Sequence, residues 1–148
     1  MAFGYQIEFM SLSEIKNKYG ETGLLEPISV QDRYLISDDN QMTLMTADGL
    51  LQAKTKNLET SSDDMPYHDV YGKYRMWAKA QGFEIEVNDE YKSWLLDNPS
   101  MQARRAPGVT CIDSLCSYKD PGNISDHRNN SKGCGTHKGG SGRSFMQE

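Results

Sequence analysis

Apolar and polar residues alternate almost from the start of the chain. Tyr5, Ile7 and Phe9 stand against Gln6 and Glu8, the period-2 pattern of a half-buried strand. Ser11-Leu-Ser-Glu14 then has the spacing of a capping box, and Gly20 is placed to end the short helix that the box would start. Leu24–Val30 and Arg33–Ser37 are rich in β-formers on either side of Gln31-Asp32, which predicts a hairpin. Gln41–Thr46 fits two periods: Met42 and Leu44 alternate, while Met42, Met45 and Thr46 share a helical face. The polar run Lys54–Asp64 reads as a loop.

From Pro66 the period becomes helical. Val70, Tyr74, Trp77 and Ala78 share one face, and Gly82 ends the helix. Phe83, Ile85 and Val87 alternate as a strand, after which Asn88 caps a helix carrying Tyr91, Trp94 and Leu95 that Asn98-Pro99 closes. Beyond Pro99 the chain turns to Gly, Ser, Asn and Lys, and its closing GGSGRSFMQE has no regular period. These elements predict a small α+β fold with a mostly antiparallel sheet, built from the N-terminal strands and Phe83–Val87 and packed by two or three helices. Residues 1–98 would form that domain, and residues 99–148 an irregular, zinc-stabilised, basic C-terminal module with a flexible end.

Length supports one real core: 148 residues suit a single domain plus an appendage. No apolar run approaches the roughly 20 residues that cross a bilayer, so no membrane partner is expected. The first twenty residues lack the basic start and apolar stretch of an export signal, and a cytoplasmic location is the expectation. Charge is unevenly spread. Residues 1–103 hold nine Lys/Arg against seventeen Asp/Glu, and residues 104–148 seven against four. An acidic body thus carries a basic tail, able to follow phosphates or to dock on acidic surfaces.

The three cysteines all fall in that tail, an odd and clustered set that points to metal rather than disulfides. Cys111 and Cys116 form one pair, and Cys134 and His137 another with glycines on either side of Cys134. Two close pairs are what tetrahedral zinc takes, and such a site can order a segment with little apolar core. His127 is an alternative ligand or a base. Asp126, His127 and His137 also share residue types with HNH-type nucleases, in which a histidine activates water and a metal holds the phosphate.

Residues 24–49 carry Leu25, Pro27, Ile28, Val30, Tyr34, Ile36 and Asp38 in an order that resembles the N-terminal domain shared by ParB and sulfiredoxin-like proteins. That resemblance implies a strand, a turn and then a helix from Met42. Asp39 stands where the family's glycine is expected and Gln41-Met42 where its basic residues would grip phosphate, so its nucleotide chemistry does not carry over.

The function expected from these features is that of a non-enzymatic accessory or regulatory binding protein with zinc as its cofactor and no small-molecule substrate. It would engage a protein or a nucleic acid through Arg104, Arg105, Lys119, Arg128, Lys132, Lys138 and Arg143, with Tyr67 and Tyr71 as aromatic anchors. The competing expectation is a metal-dependent, HNH-like nuclease using His127 and His137.

Overall fold

The computed structural model describes residues 4–117. Its chain order is a 3-10 turn at Tyr5–Ile7, α1 (Leu12–Tyr19), a hairpin of β1 (Ser29–Val30) and β2 (Arg33–Tyr34), α2 (Asp38–Thr60), α3 (Tyr67–Ala80), 3-10 turns at Asp89–Tyr91 and Trp94–Asp97, α4 (Pro99–Gln102) and α5 (Val109–Ser117). The expected α+β class is therefore wrong. The fold is helical, and the hairpin, with Ser29 opposite Tyr34 and Val30 opposite Arg33, is the only sheet among the described residues. Gln31 and Asp32 do form its turn, both with positive φ.

The corrections have local causes. Tyr5, Ile7 and Phe9 alternate, but among the described residues no second strand lies beside them, and Tyr5–Ile7 closes into a 3-10 turn. Phe83–Val87 keeps its alternation, with Phe83 and Ile85 packed on the core, yet among the described residues no strand pairs with it. Arg75 holds it by donating to the Glu86 carbonyl from Nε at 3.2 Å and Nη2 at 2.7 Å. The ambiguous Gln41–Thr46 is helix, because Met42, Met45, Gly49 and Ala53 make one buried stripe. That helix continues through the supposed loop to Thr60. The capping box at Ser11 forms as expected: Ser11 N donates to Glu14 Oε2 at 2.7 Å, and Glu14 N to Ser11 Oγ at 3.3 Å.

α2 and α3 run antiparallel and supply most of the core. Thr46 Oγ1 lies 2.6 Å from the Tyr74 hydroxyl, and Gly49 meets the backbone of Val70. Met42, Met45, Val70, Tyr71, Tyr74, Trp77 and Ala78 are joined in one cluster by Met101 of α4 and Ile112 and Leu115 of α5. The core therefore passes without a break across residue 98.

Candidate active site

A buried polar side chain must be satisfied, and where several gather the fold is holding chemistry in place. Ser37, Asp38 and Gln41 are all buried and stand within five positions at the start of α2. Ser37 is the N-cap. Its Oγ accepts from Asn40 N at 3.5 Å and donates to Asn40 Oδ1 at 3.2 Å, so the hydroxyl proton is engaged in the cap. Asp38 and Asp39 occupy the first turn, where the free N–H groups and the positive end of the helix dipole favour anions. Asp38 is 6% exposed and Asp39 faces solvent.

Gln41, fully buried, fixes this turn to the rest of the molecule. Its Nε2 donates to the carbonyls of Ser100 at 2.6 Å and Ala103 at 2.9 Å, while its Oε1 accepts from Trp77 Nε1 at 3.1 Å. Gln81 adds a bond from Nε2 to the Met101 carbonyl at 2.9 Å. Two buried amides thus hold the end of α4 against α2 and α3. The residues that follow α4 leave along this edge. Arg104 stacks over Phe83 at 4.5 Å and Arg105 over Tyr5 at 5.2 Å.

A different polar group lies at the other end of the helix pair. Lys56 Nζ bridges Asp69, at 2.7 Å, and Glu90. Burial alone would lower the Lys56 pKa, but the hydrogen bonds and charges of Asp69 and Glu90 outweigh it, and the value is pushed up to about 12. Tyr91, whose ring lies over Gly72, is raised by desolvation and by the charge of Glu90. His68 separates a cleft of about 320 Å³ containing Tyr71 and Tyr91 from one of about 540 Å³ containing Lys56 and Asp69. This network joins elements through matched charges, and its one lysine is neutralised twice.

Most residues singled out from the sequence are not in either region. Cys111 is buried and Cys116 exposed on α5, both unbridged. Five residues apart on a helix, they point about 140° away from each other. Cys134, His137, His127, Lys119, Arg128, Lys132, Lys138 and Arg143 lie outside the described residues. Tyr71 is core, donating from its hydroxyl to the Ser114 carbonyl at 3.2 Å, and cannot be a surface anchor; Tyr67 is half-buried. Sequence reasoning passed over Asp38, Asp39 and Gln41. Their signal was a serine cap followed by two acids and an amide at the head of a long helix, and comparison with a strand-turn pattern hid it.

No curated protein and no solved structure matches the chain. The family model of ADP-ribosylglycohydrolase matches residues 2–146. It overturns the resemblance of residues 24–49 to the ParB and sulfiredoxin-like domain. It equally overturns the non-enzymatic regulatory protein and the HNH-like nuclease, since the family consists of hydrolases that remove ADP-ribose groups. An ADP-ribosylated substrate replaces the expected protein or nucleic-acid partner. Matched over nearly its whole length, the chain belongs to the ADP-ribosylglycohydrolase family.

Proposed function

We propose that this chain hydrolyses the glycosidic bond between ADP-ribose and an acceptor, with the Ser37–Asp39 turn as its centre. The observation that carries the assignment is the buried Asp38 beside the solvent-facing Asp39 at the head of α2, whose first turns Gln41 ties to the end of α4. Glycoside hydrolysis commonly relies on carboxylates at the scissile bond, and this pair combines one group held by its surroundings with one that substrate can reach.

ADP-ribosylglycohydrolases often use magnesium or manganese. The donor chemistry of the turn fits such an ion. Two carboxylates and a hydroxyl are hard oxygen ligands, and magnesium characteristically takes one or two carboxylates and completes its shell with water and substrate oxygens. No group of three His, Cys, Asp or Glu side chains converges anywhere among the described residues, so two carboxylates are the most that this turn offers an ion. Asp38 and Asp39 would hold the ion, which when bound supplies Lewis acidity and orients the ribose. Gln41 keeps the turn in place, and the water-facing Asp39 is the carboxylate open to an incoming hydroxyl. Zinc on Cys111, Cys116, Cys134 and His137 is the finer metal reading, and it calls for sulfur ligands instead.

Release of ADP-ribose from an ADP-ribosylated protein tests the assignment. Asp38→Asn should lower turnover by roughly 10²-fold or more, the scale on which a positioned carboxylate acts, while the chain still melts cooperatively at a slightly lower temperature. Lys16→Gln, on the surface of α1, should leave it intact. Added manganese should raise the melting temperature of the wild type and not of Asp38→Asn. Full turnover in Asp38→Asn would remove the assignment, and zinc lost on Cys111→Ser would restore the thiolate site.

A further inference from the structure

Arg105 is a half-buried guanidinium with no acid beside it. Nη1 donates to the Tyr5 hydroxyl at 3.3 Å, and Nε is shut away from water without a partner. Among the described residues no carboxylate forms an ion pair with Arg105 or with Arg104. Taking a cation partly out of water without a counter-ion is unfavourable, and a fold keeps such a group where a ligand completes it. The side chain is also held in advance by the Tyr5 ring, which lowers the cost of ordering it on binding.

Its position points to the ligand. Ala103, two residues before Arg105, has its carbonyl bound by Gln41, and Gln41 lies one helical turn from Asp38. The segment bearing both arginines is thereby tied to the turn proposed as the catalytic centre. Residues 102–108 alternate between exposed and half-buried, with Arg104 exposed and Arg105 half-buried. They are two separate cations, Arg104 resting on the Phe83 ring and Arg105 on the Tyr5 ring. A guanidinium matches the paired oxygens of a phosphate, which a lysine point charge does not.

We propose that Arg105, supported by Arg104, binds the diphosphate of an ADP-ribosyl substrate; this rests on the catalytic reading given above. The test is calorimetric titration of the full chain with inorganic pyrophosphate and with ADP-ribose. The wild type should bind both. Arg105→Gln should weaken each by about tenfold or more, as loss of one charge-assisted bond implies. Arg105→Lys should recover part of the loss, and Arg104→Gln should show a smaller one. If Arg105→Gln fails to fold, the lysine variant and Arg104→Gln still report on the site. Unchanged affinities in these variants, or a wild type that does not bind pyrophosphate, would overturn the inference. The two readings separate cleanly. Wild-type release of ADP-ribose with arginine-independent binding removes only this one, while an arginine-dependent pyrophosphate site without any release removes only the catalytic one.

Discussion

At the scale of single residues, the approach of α2 to α3 is set by an absent side chain. A Cβ built on Gly49 would lie 2.6 Å from Val70 Cα and 2.9 Å from Val70 N. Both are backbone atoms and cannot rotate aside, so any larger residue must push α2 away from α3. Gly49→Ala would improve helix propensity by up to about 1 kcal/mol. Overpacking costs about 1–3 kcal/mol, and here it forces apart the helices whose contact forms most of the core. A net loss is expected, measured as a lower urea midpoint with unchanged slope; a gain would show that the helices separate freely. Glu14 makes a gentler contribution. The Ser11 hydroxyl and backbone N–H hold its carboxyl below the ordinary value of 4.5. Its stabilisation is therefore present above that value and lost as pH falls through the lowered one. Ser11→Ala should flatten the acid limb of the melting profile, and an unaltered limb would assign acid sensitivity to other groups.

Elements are joined by charge as well as by packing. Lys73 of α3 is 3% exposed at its side chain, forms an ion pair with Asp48 of α2 at 2.8 Å and donates to the Lys92 carbonyl at 3.0 Å. Removing one partner leaves the other charged and buried, so Asp48→Ala should cost about 3–5 kcal/mol, and Asp48→Leu with Lys73→Met should recover most of it. Equal destabilisation by the single and double changes would contradict that account. Lys56 gives a pH signature. Its folded pKa of about 12 lies above the ordinary 10.5, so its contribution is complete below 10.5 and disappears as pH rises through about 12. The melting difference between wild type and Lys56→Gln should close over that window. Element by element, the sequence was legible where the signal was local: the Ser11 box, the Gln31-Asp32 turn and the helix at Tyr67–Ala80. It misled where pairing decides. An alternating run becomes a strand only if another strand lies alongside, and among the described residues neither Tyr5–Phe9 nor Phe83–Val87 has one. Gln41 was unreadable for the same reason, since its partners stand some sixty residues away.

Over the whole molecule, the composition shift at Pro99 suggested a domain ending at residue 98, whereas the packing runs through that point. Met101, Ile112 and Leu115 are buried in the same cluster as Met45 and Trp77. Polar ties cross the boundary too, from Gln41 to Ser100 and Ala103, from Gln81 to Met101, from Tyr71 to Ser114, and from Arg75 to Leu115 at 2.7 Å. Deleting one large core side chain costs about 2–5 kcal/mol, so losing all three approaches the roughly 5–15 kcal/mol by which a domain is stable at all. Truncation would also leave the Gln41 and Gln81 amides buried without acceptors, a further loss of about 1–3 kcal/mol each. A chain ended after Asn98 should accordingly lose its cooperative thermal transition and bind hydrophobic dye, while Leu115→Ala in the full chain should melt cooperatively at a lower temperature. A truncated chain that melted as sharply as the full one would establish residues 1–98 as a domain in their own right. The start of α2 would then have to be held by α2 and α3 alone.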